Sequence, residues 1–207
     1  MSDSTFKSMS APQYLVPIYN DLRTTFLSTT ASGSNPPTYT RFAYNSSANS
    51  QGVFLNNFPG GTNVERELYL TLQLPHDYQE GSTIYPHLHF TIDNSSPSAT
   101  GTTQWGFEYT YAPYGGSFPT PSSSATTIIY ATYALNGTTN AYQHMILQFP
   151  GISISTLNIS SVFISRIFRC ASNNATNPDT YSGGIYAIEI DAHVQSNTAG
   201  SRQQFVK

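Results

Sequence analysis

The sequence predicts an all-β chain, a single antiparallel jelly-roll β-sandwich of eight strands preceded by an extended N-terminal arm. Three observations predict it. Short runs of alternating apolar and polar residues recur along most of the chain, separated by loops rich in Gly, Pro, Asn and Ser. No helical period survives beyond two turns, and no internal repeat marks a solenoid or propeller. Charged residues are only 9% of the 207, whereas Tyr and Phe number 15 and 12. That much aromatic surface excludes a solvated coil.

The elements follow in order. Residues 1–37 read as an arm or lead-in, because Pro12, Pro17, Pro36 and Pro37 interrupt any regular element. Within it, YLVPIYNDLRTTFL has room for a short strand or a helical turn. Residues 38–207 form the jelly-roll domain with a short C-terminal tail. Strand-like runs fall at 38–45, 51–58, 65–74, 84–93, 104–112, 126–135, 141–149, 159–169 and 184–195. The segments FPGGTN, DNSSPSATG, PYGGSFPTPSSS, LNGTTN and SNNATNPDTYSGG punctuate them.

Alternation assigns faces. In 65–74, Leu68, Leu70, Leu72 and Leu74 point one way, with Glu67, Tyr69, Thr71 and Gln73 opposite. In 84–93, Leu88, Phe90 and Ile92 face inward and His87, His89 and Thr91 outward. In 184–195, Tyr186, Ile188, Ile190, Ala192 and Val194 form one side, leaving Glu189, Asp191 and His193 on the other. One buried and one polar face per strand is the pattern of two antiparallel sheets packed face to face. Trp105 has no flanking Cys partners, which places a jelly roll ahead of an immunoglobulin-like sandwich.

Composition narrows function. The formal charge is −3, and the eight Lys and Arg form no cluster, which argues against direct nucleic-acid binding. Cys170 is the sole cysteine, so no intrachain disulfide forms, and it reads as a small buried residue. No apolar run approaches the length of a membrane span, so no membrane insertion is expected. The opening MSDSTFKSMSAPQ has no apolar core of a secretion signal, and synthesis in a cytoplasm is the expectation.

Three of the five histidines lie in residues 65–93. His76, in LPHDYQEGS, reads as part of a turn in which Pro75 ends a strand, Asp77 bonds nearby backbone and Gly81 takes a positive φ. The spacing Gly81-x5-His87-x-His89-x3-Asp93 resembles the first motif of the cupin superfamily, with Asp93 in place of Glu and Gly101 near the closing Gly. That resemblance implies a metalloenzyme or sugar-binding protein with His87, His89 and Asp93 as Fe or Mn ligands. The second cupin motif is missing: His144 follows NGTTNAYQ and no PxG occurs. The inward face of 84–93 also belongs to apolar residues. No catalytic residue, cofactor or metal is therefore expected. If strands 84–93 and 184–195 are neighbours, His87, His89, Glu189, Asp191 and His193 form one polar patch. Contact with a neighbouring subunit or with loops is its favoured role, and a surface metal cluster is the alternative.

Three segments, LPHDYQEGSTIYPHLHF, SVFISRIFRCAS and YAIEIDAHVQSNTAGSRQQFVK, together resemble a family of small jelly-roll virion proteins of tailed phages and large double-stranded DNA viruses. The resemblance spans about residues 60–207. It implies a non-enzymatic structural component of an icosahedral virion, made in the host cytoplasm and assembled through contacts with neighbouring capsid proteins. A homo-oligomeric vertex (penton) protein, with a pentamer favoured, comes first, and a head decoration or tail protein second. A cupin-like metalloenzyme and a carbohydrate-binding module using exposed aromatics are the alternatives of another class.

Overall fold

The computed structural model describes residues 18–25, 35–94, 96–122 and 124–200. The remaining expected arm (1–17 and 26–34) and most of the terminal GSRQQFVK lie outside the described residues. Ten strands are present among the described ones: β1 (Ile18–Thr25), β2 (Thr38–Ala43), β3 (Val53–Phe58), β4 (Arg66–Gln73), β5 (Tyr85–Ile92), β6 (Thr100–Ala112), β7 (Thr127–Asn136), β8 (Met145–Gln148), β9 (Val162–Arg169) and β10 (Ile185–Ser196). Each of the nine anticipated runs overlaps one strand, and β6 begins four residues before its run. The tenth, β1, lies inside the lead-in.

The strands form two antiparallel sheets. Sheet A runs β2-β3-β10-β5-β8, with β1 also on β10, and sheet B runs β4-β9-β6-β7. In β3 to β10 the hydrogen-bonded pairs β3/β10, β4/β9, β5/β8 and β6/β7 are nested, like a long hairpin rolled until its legs alternate between two sheets. That is the eight-strand jelly roll. β2 extends it as a hairpin on β3. β1 pairs with β10 from Ile18↔Ser196 to Thr25↔Glu189, beside the short β3 contact at Ile185–Ala187. Part of the expected arm is thus a strand of the sandwich.

The core lies between the sheets. Leu68, Leu70 and Leu72 from β4, Leu88, Phe90 and Ile92 from β5, and Trp105 and Phe107 from β6 are almost fully buried. Each contributes about 1.5–3 kcal/mol by leaving water. Gly106 shows how tightly sheet B's outer side is packed: a Cβ there would stand 2.1 Å from the Phe168 ring.

One face assignment changes. A β-bulge between Ala187 and Glu189 inserts Ile188 as an extra residue in β10. Below the bulge Ile185 and Ala187 face the core, and above it Ile190, Ala192 and Val194 do. Tyr186 and Ile188, expected inside, therefore face out. Tyr186 packs its ring 5.2 Å from Phe42, and Ile188 is 37% exposed.

Candidate functional site

The outer face of sheet A gathers four of the five histidines. β5 and β10 are neighbours, with Asp191 opposite His87 and Glu189 opposite His89. β1 sets Asp21 opposite His193. The β5–β8 pairing aligns His89 with Ile146, which brings His144, two residues earlier, alongside. The patch anticipated from His87, His89, Glu189, Asp191 and His193 is thus one continuous surface, enlarged by His144 and Asp21.

Its centre is buried. The His87 and Asp191 side chains are 3% and 2% exposed, and their Nε2 and Oδ1 atoms stand 2.7 Å apart. His89 Nε2 lies 3.4 Å from the same Oδ1. His87 Nδ1 donates to the Tyr85 carbonyl at 3.2 Å, and His89 Nδ1 meets His144 Nε2 at 2.8 Å. His193 Nε2 pairs with Asp21 Oδ1 at 3.2 Å, and its ring centroid lies 4.2 Å from that of His87. Burial pulls the His87 pKa down, but the contact with Asp191, the Tyr85 carbonyl and the charge of Asp21 outweigh it and hold the group above the ordinary range. Burial, with the neighbouring His87 and His144, keeps His89 below that range despite Asp191 and Glu189.

This geometry corrects two expectations. His87 and Asp191 are enclosed within one chain, so subunit contact does not hold for that pair; His193, with 45% of its side chain exposed, and Glu189 remain at the surface. Asp93 shares the face but is not the carboxylate between the histidines: it accepts a hydrogen bond from the Tyr186 hydroxyl at 3.1 Å. The interior position a cupin metal requires is filled by Leu88, Phe90 and Ile92, so these residues do not fit a cupin centre. His76 stays in the turn, with Nε2 3.2 Å from the Ser160 hydroxyl, and Gly81 has φ +74°.

Sheet B carries the second candidate surface, which sequence reasoning missed. Tyr69, Arg166, Glu108 and Ile128 form one row across its outer face. Arg166 is held by Glu67 at 2.5 Å, by Glu108 at 2.8 Å and by Glu65 at 3.4 Å, with its guanidinium over the Phe168 ring. Thr126 donates to Glu108 at 2.7 Å. Burial and the nearby Glu67 raise the Tyr69 pKa, so its hydroxyl stays protonated. An open depression of about 340 Å³ is lined here by Tyr69, Glu108, Ile164 and Arg166 among others. Glu65, Glu67 and Glu108 around the one guanidinium give this patch a net negative charge, although only Glu108 and Arg166 line the depression itself.

No protein-family model and no curated protein matches the chain. Solved structures with a similar arrangement include TmCBM61 in complex with beta-1,4-galactotriose (12% identity, 70% of this chain and 74% of that one, TM-score 0.32). A second is the Clostridium thermocellum xylanase 10B CBM22-1–GH10 modules complexed with xylohexaose (10% identity, 89% and 27%, TM-score 0.35). A third is dimeric latent PorU from Porphyromonas gingivalis (9% identity, 91% and 14%, TM-score 0.34). The chain thus spans only about a quarter and a seventh of the last two. Likenesses this distant carry no information about what the present chain binds.

Proposed function

We propose that this chain is a non-catalytic jelly-roll module that works by surface contact, and that the outer face of sheet B binds a neutral saccharide. The depression beside Tyr69 and Arg166 carries this reading. Its volume suits one or two sugar rings. Tyr69 and Ile164 offer apolar surface to the C–H face of a pyranose. Glu108 accepts from sugar hydroxyls, and Arg166 is already oriented by three carboxylates. The net negative charge disfavours acidic sugars. The test is a glycan array followed by calorimetry on neutral hits. Tyr69→Ala and Glu108→Gln should each weaken binding at least tenfold while the protein stays folded. Silence toward all neutral glycans at millimolar concentration sinks the reading.

A second reading is assembly into a virion shell, the role the sequence resemblance implies. Exposed apolar side chains on and near sheet A favour it. Tyr39 and Phe54 stack at 5.5 Å on the β2–β3 hairpin, and Tyr39 and Val53 are 57% and 60% exposed. A chain so poor in charge can bury such surface against copies of itself without desolvating ions. Native mass measurement separates the roles: a pentamer supports a vertex protein, a trimer supports decoration or tail, and a strict monomer at high concentration removes assembly through self-association.

A further inference from the structure

We propose that His87 Nε2, His89 Nε2 and Asp191 Oδ1 form a binding site for a divalent transition-metal ion of the zinc class, clamping β5 to β10 on the outer face of sheet A. It is independent of the saccharide reading, which concerns the opposite sheet.

Three observations carry it. The three ligand atoms all lie within 4.8 Å of one another, a spread that one ion can bridge with small side-chain adjustments. Asp191 Oδ1 is buried yet accepts no aligned hydrogen bond, although His87 Nε2 stands 2.7 Å away. Buried carboxylate oxygens are normally satisfied, so an unsatisfied one aimed at two imidazoles needs an explanation. The third observation is the tautomer. The Tyr85 carbonyl can only accept, so His87 Nδ1 carries the proton. Nε2 is therefore the ring atom left to face the carboxylate, 2.7 Å from Asp191 Oδ1.

The surroundings favour a metal, because each histidine has an outer partner that fixes its ring. His87 is held by the Tyr85 carbonyl, and His89 Nδ1 can donate to His144 Nε2 at 2.8 Å. Two imidazoles and one carboxylate suit zinc and its borderline neighbours better than calcium or magnesium. His193, ring to ring with His87 at 4.2 Å, is the nearest further donor; otherwise water completes the shell.

The test uses the full-length, tag-free protein stripped with a chelator and titrated with Zn²⁺ and with Co²⁺. One equivalent should bind, Co²⁺ should show the intense visible bands of low coordination, and Tm should rise by about 5 °C or more at 100-fold excess over Kd. His89→Ala should retain its fold and lose binding at least tenfold, as should Asp191→Asn. His144→Gln, which touches only the outer partner, should weaken binding about tenfold. A wild-type protein that binds neither ion would overturn the proposal. Undiminished binding in His89→Ala would overturn it as well.

Discussion

Among the described residues two carboxylates are buried, and they are treated in opposite ways. Asp179 faces Arg169, with both side chains 1% exposed. Arg169 donates to both Asp179 oxygens at 2.8 and 2.9 Å, and to the carbonyls of Phe58, Gly183 and Tyr181. Thr103 and the Gln104 amide donate to Asp179 Oδ2, and Trp105 Nε1 donates to Thr103 in turn. That network is closed. Asp191, equally buried, has His87 and His89 within ion-pair distance and still leaves Oδ1 without an aligned donor. The difference teaches how to tell a structural charge from a ligand charge. The first has spent its hydrogen-bonding capacity inside the protein, and the second holds some in reserve.

The largest expected effect tests the closed network. Arg169→Met leaves Asp179 buried and unpaired, and should cost about 3–5 kcal/mol. A fall in Tm of about 10 °C or more by calorimetry checks it. Asp191→Asn in metal-free protein should cost less, about 1–2 kcal/mol, because no aligned bond to Oδ1 is lost. Equal costs in urea unfolding would erase the distinction between the two sites. Gly106→Ala, remote from both carboxylates, sets the scale for ordinary packing strain. Its Cβ meets the Phe168 ring, and about 1–3 kcal/mol should be lost.

The narrowest effect, absent at neutral pH and confined to the alkaline range, concerns Cys170, beside the closed network. Burial, aided by Glu65 and Asp179 and opposed by Arg166, pushes its thiol from 9.0 up to about 12. A thiol held neutral in the fold favours folding up to its unfolded pKa, and that contribution is lost as pH rises from about 9 to about 12. The unfolding midpoint should therefore drop less steeply with alkaline pH in Cys170→Ser than in the parent. An identical slope would show that the thiol is not held.

Much of the fold was legible because alternation is a local signal. Leu68, Leu70 and Leu72, and Leu88, Phe90 and Ile92, sit where their spacing puts them. Ile188 was misread because a bulge breaks the period of two, and nothing in YAIEID marks the extra residue. The outward turn of His87 and His89 was legible for the same reason, and their meeting with Asp191 and His193 followed once β5 and β10 became neighbours. His144 and Asp21 escaped because their approach depends on the pairing of β8 and β1, which periodicity does not encode. The Arg169–Asp179 pair escaped too. A buried ion pair ten residues apart, one member in a strand and the other in a loop, leaves no pattern to read.

The tandem pairing along β10 has a mechanical consequence. Its lower end is zipped to β3 and its upper end to β1, two segments separated in sequence by β2. On that side, β1 is the only cover among the described residues for the edge from Glu189 to Ser196. Peeling it away would unmask a ladder of unpaired amides and carbonyls beside Asp191 and His193, the kind of border that recruits any extended chain of matching length. The N-terminal strand therefore serves as a cover: so long as it holds, the border of the sheet on that side is β1 and not β10.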